Sequence, residues 1–149
     1  MHTNKGLTLI EMMVVLGIMG ILSAIAVPSV VSWRNGMQLS AAVRETKNGI
    51  EKTRIIALKT NAPARLEFGA NGSFGIARWD PDTSDFAAPE IVRMPPGVTI
   101  NANVGFLEFN GRGFLSSAGG TLTLQHPTGA LCREIVVAST GSSRIAECP

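Results

Sequence analysis

Lys5-Gly6-Leu7-Thr8-Leu9-Ile10-Glu11 opens an apolar run that continues to Val31 and decides how the chain is built. From Leu7 to Val31 there is no Lys, Arg or Asp, and Glu11 carries the only charge. A helix rises about 1.5 Å per residue, so roughly 20 apolar residues cross the hydrocarbon core of a bilayer. The run is therefore long enough to span. A carboxylate within such a segment costs on the order of a few kcal/mol unless another group meets its charge. Glu11 is thus a candidate functional residue.

Two ordinary readings leave something over. A secretory signal would use Lys5 as its basic region and Ala24-Ile25-Ala26 as a small-x-small cleavage site. The run before that site exceeds the usual apolar region of about 7–15 residues, and it contains Glu11. A plain transmembrane anchor accounts for the length but not for Glu11 or for the order of residues around it.

The same residues resemble the class III signal of type IV pilins and type II secretion pseudopilins. That pattern is a short basic leader ending in Gly, then Phe-Thr-Leu-Ile-Glu, then an apolar helix with a Pro. Here the matching residues are Lys5-Gly6, Leu7-Thr8-Leu9-Ile10-Glu11, Met12 to Val27, and Pro28, with Leu7 where the family usually has Phe. The resemblance implies cleavage between Gly6 and Leu7 by a prepilin peptidase and N-methylation of Leu7. It implies a single-pass protein of the bacterial inner membrane with its head in the periplasm, and other pilin or pseudopilin subunits as partners. It also gives Glu11 an assembly role: the carboxylate meets the free N-terminal amine of a neighbouring subunit. Opposite charges attract strongly in low dielectric, whereas either alone is penalised. Such pairing would favour entry into a filament and set register. The implied organisation is a leader at 1–6, a transmembrane and filament-core helix at 7–31, and a globular head at 32–149.

Within the span, Gly17, Gly20, Ser23 and Ala24 form a small-residue strip that would let helices approach closely, although membrane helices also simply tolerate Gly. Pro28 removes one helical hydrogen bond and predicts a kink.

From Ser29 to about Lys59 the pattern stays helical but becomes one-sided. Leu39, Ala42, Val43, Thr46, Ile50, Thr53 and Ala57 recur at helical spacing. Arg34, Arg44, Glu45, Lys47, Glu51, Lys52, Arg54 and Lys59 mark the polar side, read as a solvated face. Trp33 suits a membrane interface or a contact between subunits. Thr60-Asn61-Ala62-Pro63 ends the helix near residue 60. Beyond Pro63 short alternating runs separated by turns predict strands at 64–68, 73–79, 90–94, 98–102, 105–109, 121–125, 132–138 and 143–148. A long helix followed by strands indicates an α+β fold, with the amphipathic half packed on an antiparallel β-sheet head.

The net charge is +2, and loss of a leader through Gly6 would leave +1. That balance gives no global electrostatic case for nucleic acid. Cys132 and Cys148 are the only cysteines. Outside the cytoplasm they read as a disulfide closing a loop of about 15 residues, worth roughly 3 kcal/mol. In the cytosol they would be two reduced thiols. Their spacing is too wide for a CxxC pair, and His126 alone completes no metal site. No metal or cofactor is expected, and no catalytic constellation is evident. His126 reads as a surface residue. Asp80-Pro81-Asp82-Thr83-Ser84-Asp85 lacks the Gly and Glu of a calcium loop, with Asp85 and Ile91 at those positions, and reads as a turn.

The head resembles the GspH/FimT group of minor pilins and pseudopilins. The residues that carry this are Thr53-Arg54, Leu107-Glu108-Phe109-Asn110-Gly111-Arg112-Gly113, and Ile135-Val136-Val137-Ala138-Ser139-Thr140-Gly141. The group commonly shows Phe-x-x-x-Gly in the middle and Val-x-x-(Ser/Thr)-x-Gly-Arg-x-Arg near the close. Some members bind DNA through the terminal Gly-Arg-x-Arg. Here that stretch is Gly141-Ser142-Ser143-Arg144, leaving Arg144, with Arg133 nearby, as candidate DNA contacts. Phosphate binding draws on several cations together, so a filament or priming role without DNA ranks above DNA uptake.

Overall fold

A computed structural model describes residues 8–69, 72–127 and 131–148. One helix, α1, runs Leu9–Thr60. Among the described residues nine strands follow: β1 (Ala64–Phe68), β2 (Ser73–Asp80), β3 (Asp85–Phe86), β4 (Glu90–Arg93), β5 (Thr99–Ala102), β6 (Phe106–Phe109), β7 (Gly119–Gln125), β8 (Cys132–Ala138) and β9 (Ser143–Glu147). Contacts divide the chain into two units, Met1–Asn35 and Gly36–Pro149.

In the first unit, the described residues are Thr8 and the opening turns of α1. Its apolar side chains from Leu9 to Val31 are exposed. An 18-residue window there reaches a mean hydropathy of 2.4, and the helix is long and apolar enough to cross a membrane. Exposed apolar surface on this scale needs lipid or protein around it. The helix continues through Pro28, whose missing N–H leaves the Ala24 carbonyl without its usual partner.

The second unit holds the core. Leu39, Ala42, Val43, Thr46, Ile50, Thr53 and Ala57, the stripe expected from spacing, are all buried, with Gly49 among them. Leu66, Phe74, Ile76, Leu107 and Phe109 meet them from one set of strands, and Leu122, Leu124, Ile135 and Val137 from another. The two buried hydroxyls stay on the helix: Thr46 donates to the Ala42 carbonyl at 2.9 Å and Thr53 to the Gly49 carbonyl at 2.8 Å. Neither leaves an unsatisfied polar atom in the core. Gly49 lets the helix and the Phe74 side chain of β2 approach closely. A Cβ there would lie 2.5 Å from the Phe74 ring.

Among its described residues the head has two antiparallel sheets rather than one. The first runs β3-β2-β1-β6, with β4 also on β2; the second runs β5-β7-β8-β9. β1 and β2 pair antiparallel after Pro63, Phe68 with Phe74 and Ala64 with Arg78; Ala70 and Asn71 lie outside the described residues. β3 carries no strand signature because it is two residues long. It forms because Ser84 takes a φ of 54° and turns Asp85-Phe86 back onto Asp80-Trp79. Asn61, at φ 48°, ends α1 in the left-handed conformation that Asn tolerates.

Candidate functional site

Gly6 and Leu7, the expected cleavage and methylation residues, lie outside the described residues. Glu11 lies within them and has a local partner. The Thr8 amide and hydroxyl donate to Glu11 Oε2 at 2.9 and 2.8 Å, and the Glu11 amide donates to the Thr8 hydroxyl at 3.3 Å. This is a reciprocal capping box, with Thr8 at the N-cap and Glu11 three residues on. It satisfies donors that a helix start otherwise leaves open. The Thr8-x-x-Glu11 spacing carries that signal in the sequence, but attention to the membrane charge passes over it. Glu11 Oε1 makes no hydrogen bond among the described residues.

The three head segments that carry the GspH/FimT resemblance meet at one place. Asn110 holds a tight turn, its amide donating to the Phe114 carbonyl at 2.9 Å and its carbonyl accepting from Gly113 at 2.8 Å. Its side-chain oxygen accepts from the amides of Arg112 and Phe114, at 2.9 and 3.2 Å. Gly113 takes φ +77° and Gly141 φ +80°. A Cβ on Gly141 would sit 2.5 Å from the Gly113 carbonyl oxygen and 3.3 Å from the Phe109 ring. Arg54 fills the remaining side. A Cβ on either glycine would lie 3.2 Å from its Nε, and its Nη1 donates to the Gly141 carbonyl at 3.4 Å. Arg54 is therefore half-buried and not part of a solvated face, because two glycines without side chains make room for it. Its Nε is buried without a hydrogen-bond partner among the described residues. The motif residues form an architectural joint between α1, the turn after β6 and the turn between β8 and β9.

Cys132 and Cys148 form a disulfide, with Cα atoms 5.9 Å apart. The bond ties the start of β8 to the residue after β9.

The two candidate DNA contacts are on opposite faces of the second sheet. Arg133 pairs in register with Glu147, and Arg144 with Val136. Paired residues share a face, and Arg144 and Glu147 are an odd number of residues apart on one strand, so they point oppositely. Arg133 also makes an ion pair with Glu147 at 3.3 Å.

His126 is buried rather than on the surface, at 8% exposure. The left-handed turn at Gly97 lies over its ring, where a Cβ would be 3.2 Å from Nε2. In the Asp80–Asp85 turn, Asp80 accepts from the Asp82 amide at 3.0 Å and Asp85 from the Phe86 amide at 2.7 Å. These are turn contacts of the expected kind.

An arrangement outside the motifs also escapes a reading of the sequence. On the outer face of the first sheet, the Nε and Nη2 of Arg65 both donate to Glu108 Oε2, at 3.2 and 2.8 Å. The guanidinium carbon lies 4.0 Å from the centre of the Phe86 ring and 4.3 Å from that of Phe106. Trp79 meets Phe86 edge-on at 5.4 Å. These residues are scattered along the chain and meet only through strand register.

Comparison with known proteins bears on both ends of the chain. Residues 1–27 match the prokaryotic N-terminal methylation motif, and residues 42–141 match the family described as type II transport protein GspH. The pilin-like protein PilA1 of Thermus thermophilus is 29% identical over 159 positions, covering 96% of this chain and 99% of that protein. Among solved structures, the type IV minor pilin FimU of Pseudomonas aeruginosa has a TM-score of 0.60 at 17% identity, covering 78% of this chain and 92% of that one. The minor pseudopilin EpsH from the type 2 secretion system of Vibrio cholerae has a TM-score of 0.57 at 9% identity, covering 72% and 96%. These structural likenesses concern the fold: a long N-terminal helix packed on antiparallel sheets.

Proposed function

Because the chain belongs to the family of type II transport protein GspH and opens with the N-terminal methylation motif, we propose that it is a minor pilin or pseudopilin, a structural subunit that assembles into or primes a pilus or secretion pseudopilus. The observation that carries this is Glu11, the lone charge in an otherwise apolar helix start. In this reading a prepilin peptidase cuts between Gly6 and Leu7, the Leu7 amine is methylated, and the helix anchors the protein in the inner membrane with its head in the periplasm. The Thr8 donors reduce the penalty of placing a carboxylate at the membrane and leave Oε1 to take the amine of a neighbouring subunit. Assembly then satisfies a charge that the lone subunit satisfies only in part.

Mass spectrometry of the protein from cells with a prepilin peptidase tests the first step. A mature N-terminus at Leu7 is expected; an uncut chain, or one beginning at Val27, rejects the reading. The DNA-uptake alternative draws on Arg144 and Arg133. Their opposite faces, and Glu147 beside Arg133, give each face of the sheet at most one of these cations. Several phosphate contacts are needed for useful affinity. A gel shift titrated with salt decides it, with no complex expected even at low salt.

A further inference from the structure

The second sheet ends on a strand with one open side. Among the described residues, β9 pairs with β8 alone. The Ala138 amide donates to the Ser142 carbonyl at 2.9 Å, which sets the alternation of the ladder. Arg144 and Ala146 therefore bond inward to β8, while Ser143, Ile145 and Glu147 turn their amides and carbonyls away from it. Those outward groups meet no backbone partner outside the sheet among the described residues. An open edge of this kind is a template for an added strand.

Side chains beside the edge indicate which strand fits. Ile145 is 50% exposed and shares the face of Ile135, which looks into the core. With Ser40, Val43, Arg44 and Arg133 it lines a groove of about 190 Å³. The floor is apolar and the rim is cationic. Arg44 makes no ion pair among the described residues, and Arg133 donates to the Cys132 carbonyl at 3.4 Å and pairs with the exposed Glu147. The opposite flank of α1 is closed differently, by Lys52 bonded to Glu90 of β4 at 3.0 Å.

The geometry points to the β9 edge as the docking site for an extended segment of a neighbouring filament subunit, one with a branched apolar side chain beside a carboxylate. The apolar side chain covers Val43 and Ile145, the carboxylate meets Arg44, and the free backbone groups of β9 bond the added strand. This inference rests on the filament-subunit reading.

The test uses the full chain in cells that assemble the filament, with photo-reactive benzoylphenylalanine at Ile145 or, as a control, at exposed Asp82 of the β2–β3 turn. Incorporation into sheared filaments is scored first. Incorporated chains should crosslink from Ile145 to an extended segment of another subunit, mapped by mass spectrometry, at least tenfold above the control. Adding Arg44→Glu should lower that yield at least fivefold. Glu147→Pro, which removes an outward amide and no β8–β9 bond, should do the same while the disulfide persists. Should that variant lose the disulfide, Arg44→Glu decides alone. Incorporated chains with no crosslink above control, a crosslink mapping to a helix, or a yield indifferent to Arg44→Glu would overturn the docking site and leave the filament reading standing. Chains that never incorporate refute the filament reading, and the docking site falls with it.

Discussion

Thr8 and Glu11 hold each other through three hydrogen bonds, two of them ending on the same carboxylate oxygen. The helix cap and the membrane charge are therefore one group, and substitution can separate them. Gln also serves at the third position of a capping box. Glu11→Gln should keep the cap and remove the charge. Thr8→Val should keep the charge and lose the cap, at about 1 kcal/mol. If charge drives assembly, Glu11→Gln lowers incorporation into sheared filaments at least tenfold with membrane insertion unchanged, and Thr8→Val lowers it less than fivefold. The reverse order, read by immunoblot of the filament fraction, would reduce Glu11 to a helix cap.

Gly141 is the tightest point of the head joint, and Gly141→Ala meets two obstacles at once. Its φ of +80° disfavours any side chain, and the new Cβ would press on the Gly113 carbonyl at 2.5 Å. Left-handed strain of about 1–2 kcal/mol plus overpacking of similar size gives a loss of roughly 2–4 kcal/mol. Arg54→Met keeps the packed stem and removes the poorly satisfied Nε, so it should lose less, about 1 kcal/mol. Thermal unfolding of both full-length variants in detergent, followed by circular dichroism, orders them. A larger loss for Arg54→Met would mean that the guanidinium, not the glycine contact, holds the joint.

Local periodicity made much of this fold legible. The stripe from Leu39 to Ala57 was readable because one helix face repeats every few residues, and the longer strands because they alternate between Pro, Gly and Asn turns. The division into two sheets was not legible, because strand spacing along the chain does not say which edges pair. Arg54 was misplaced for a related reason. Its helical position looks polar, and only the folding together of Gly113 and Gly141, from separate turns, encloses it. His126 was misplaced likewise, since the Gly97 turn that covers it lies far away in sequence. Arg65 and Glu108 could not be paired from the sequence, because only the β1–β6 register brings them together.

The Cys132–Cys148 bond closes the β8–β9 hairpin at its open end. In the chain-entropy picture a loop of about this size contributes roughly 3 kcal/mol. For a protein of this length that corresponds to about 6–12 °C in Tm. Reductant should lower the transition by that amount, and amide exchange should rise first in Ser143–Glu147, which pairs on one side only. An unchanged Tm after the thiols are shown to be free would assign the hairpin's stability to its ladder alone.

Arg65 joins three strands through one side chain. Its fork donates twice to Glu108 Oε2, and its flat faces lie against Phe86 and Phe106. The Arg65 and Glu108 side chains are 26% and 22% exposed, so solvent screens this pair less than an ordinary surface pair. Lys keeps the charge but has neither the fork nor the planar stack. Arg65→Lys should therefore cost about 1–2 kcal/mol, most of it through lost stacking and geometry. Glu108→Gln keeps an acceptor and should cost less than about 1 kcal/mol. The order is informative because the two changes divide charge from shape. If pure charge attraction held the cluster, Glu108→Gln would be the more damaging and added salt would weaken the native protein in proportion. With stacking dominant, Arg65→Lys is the more damaging, and the gap between the two variants persists at high salt in denaturant titrations of the full chain.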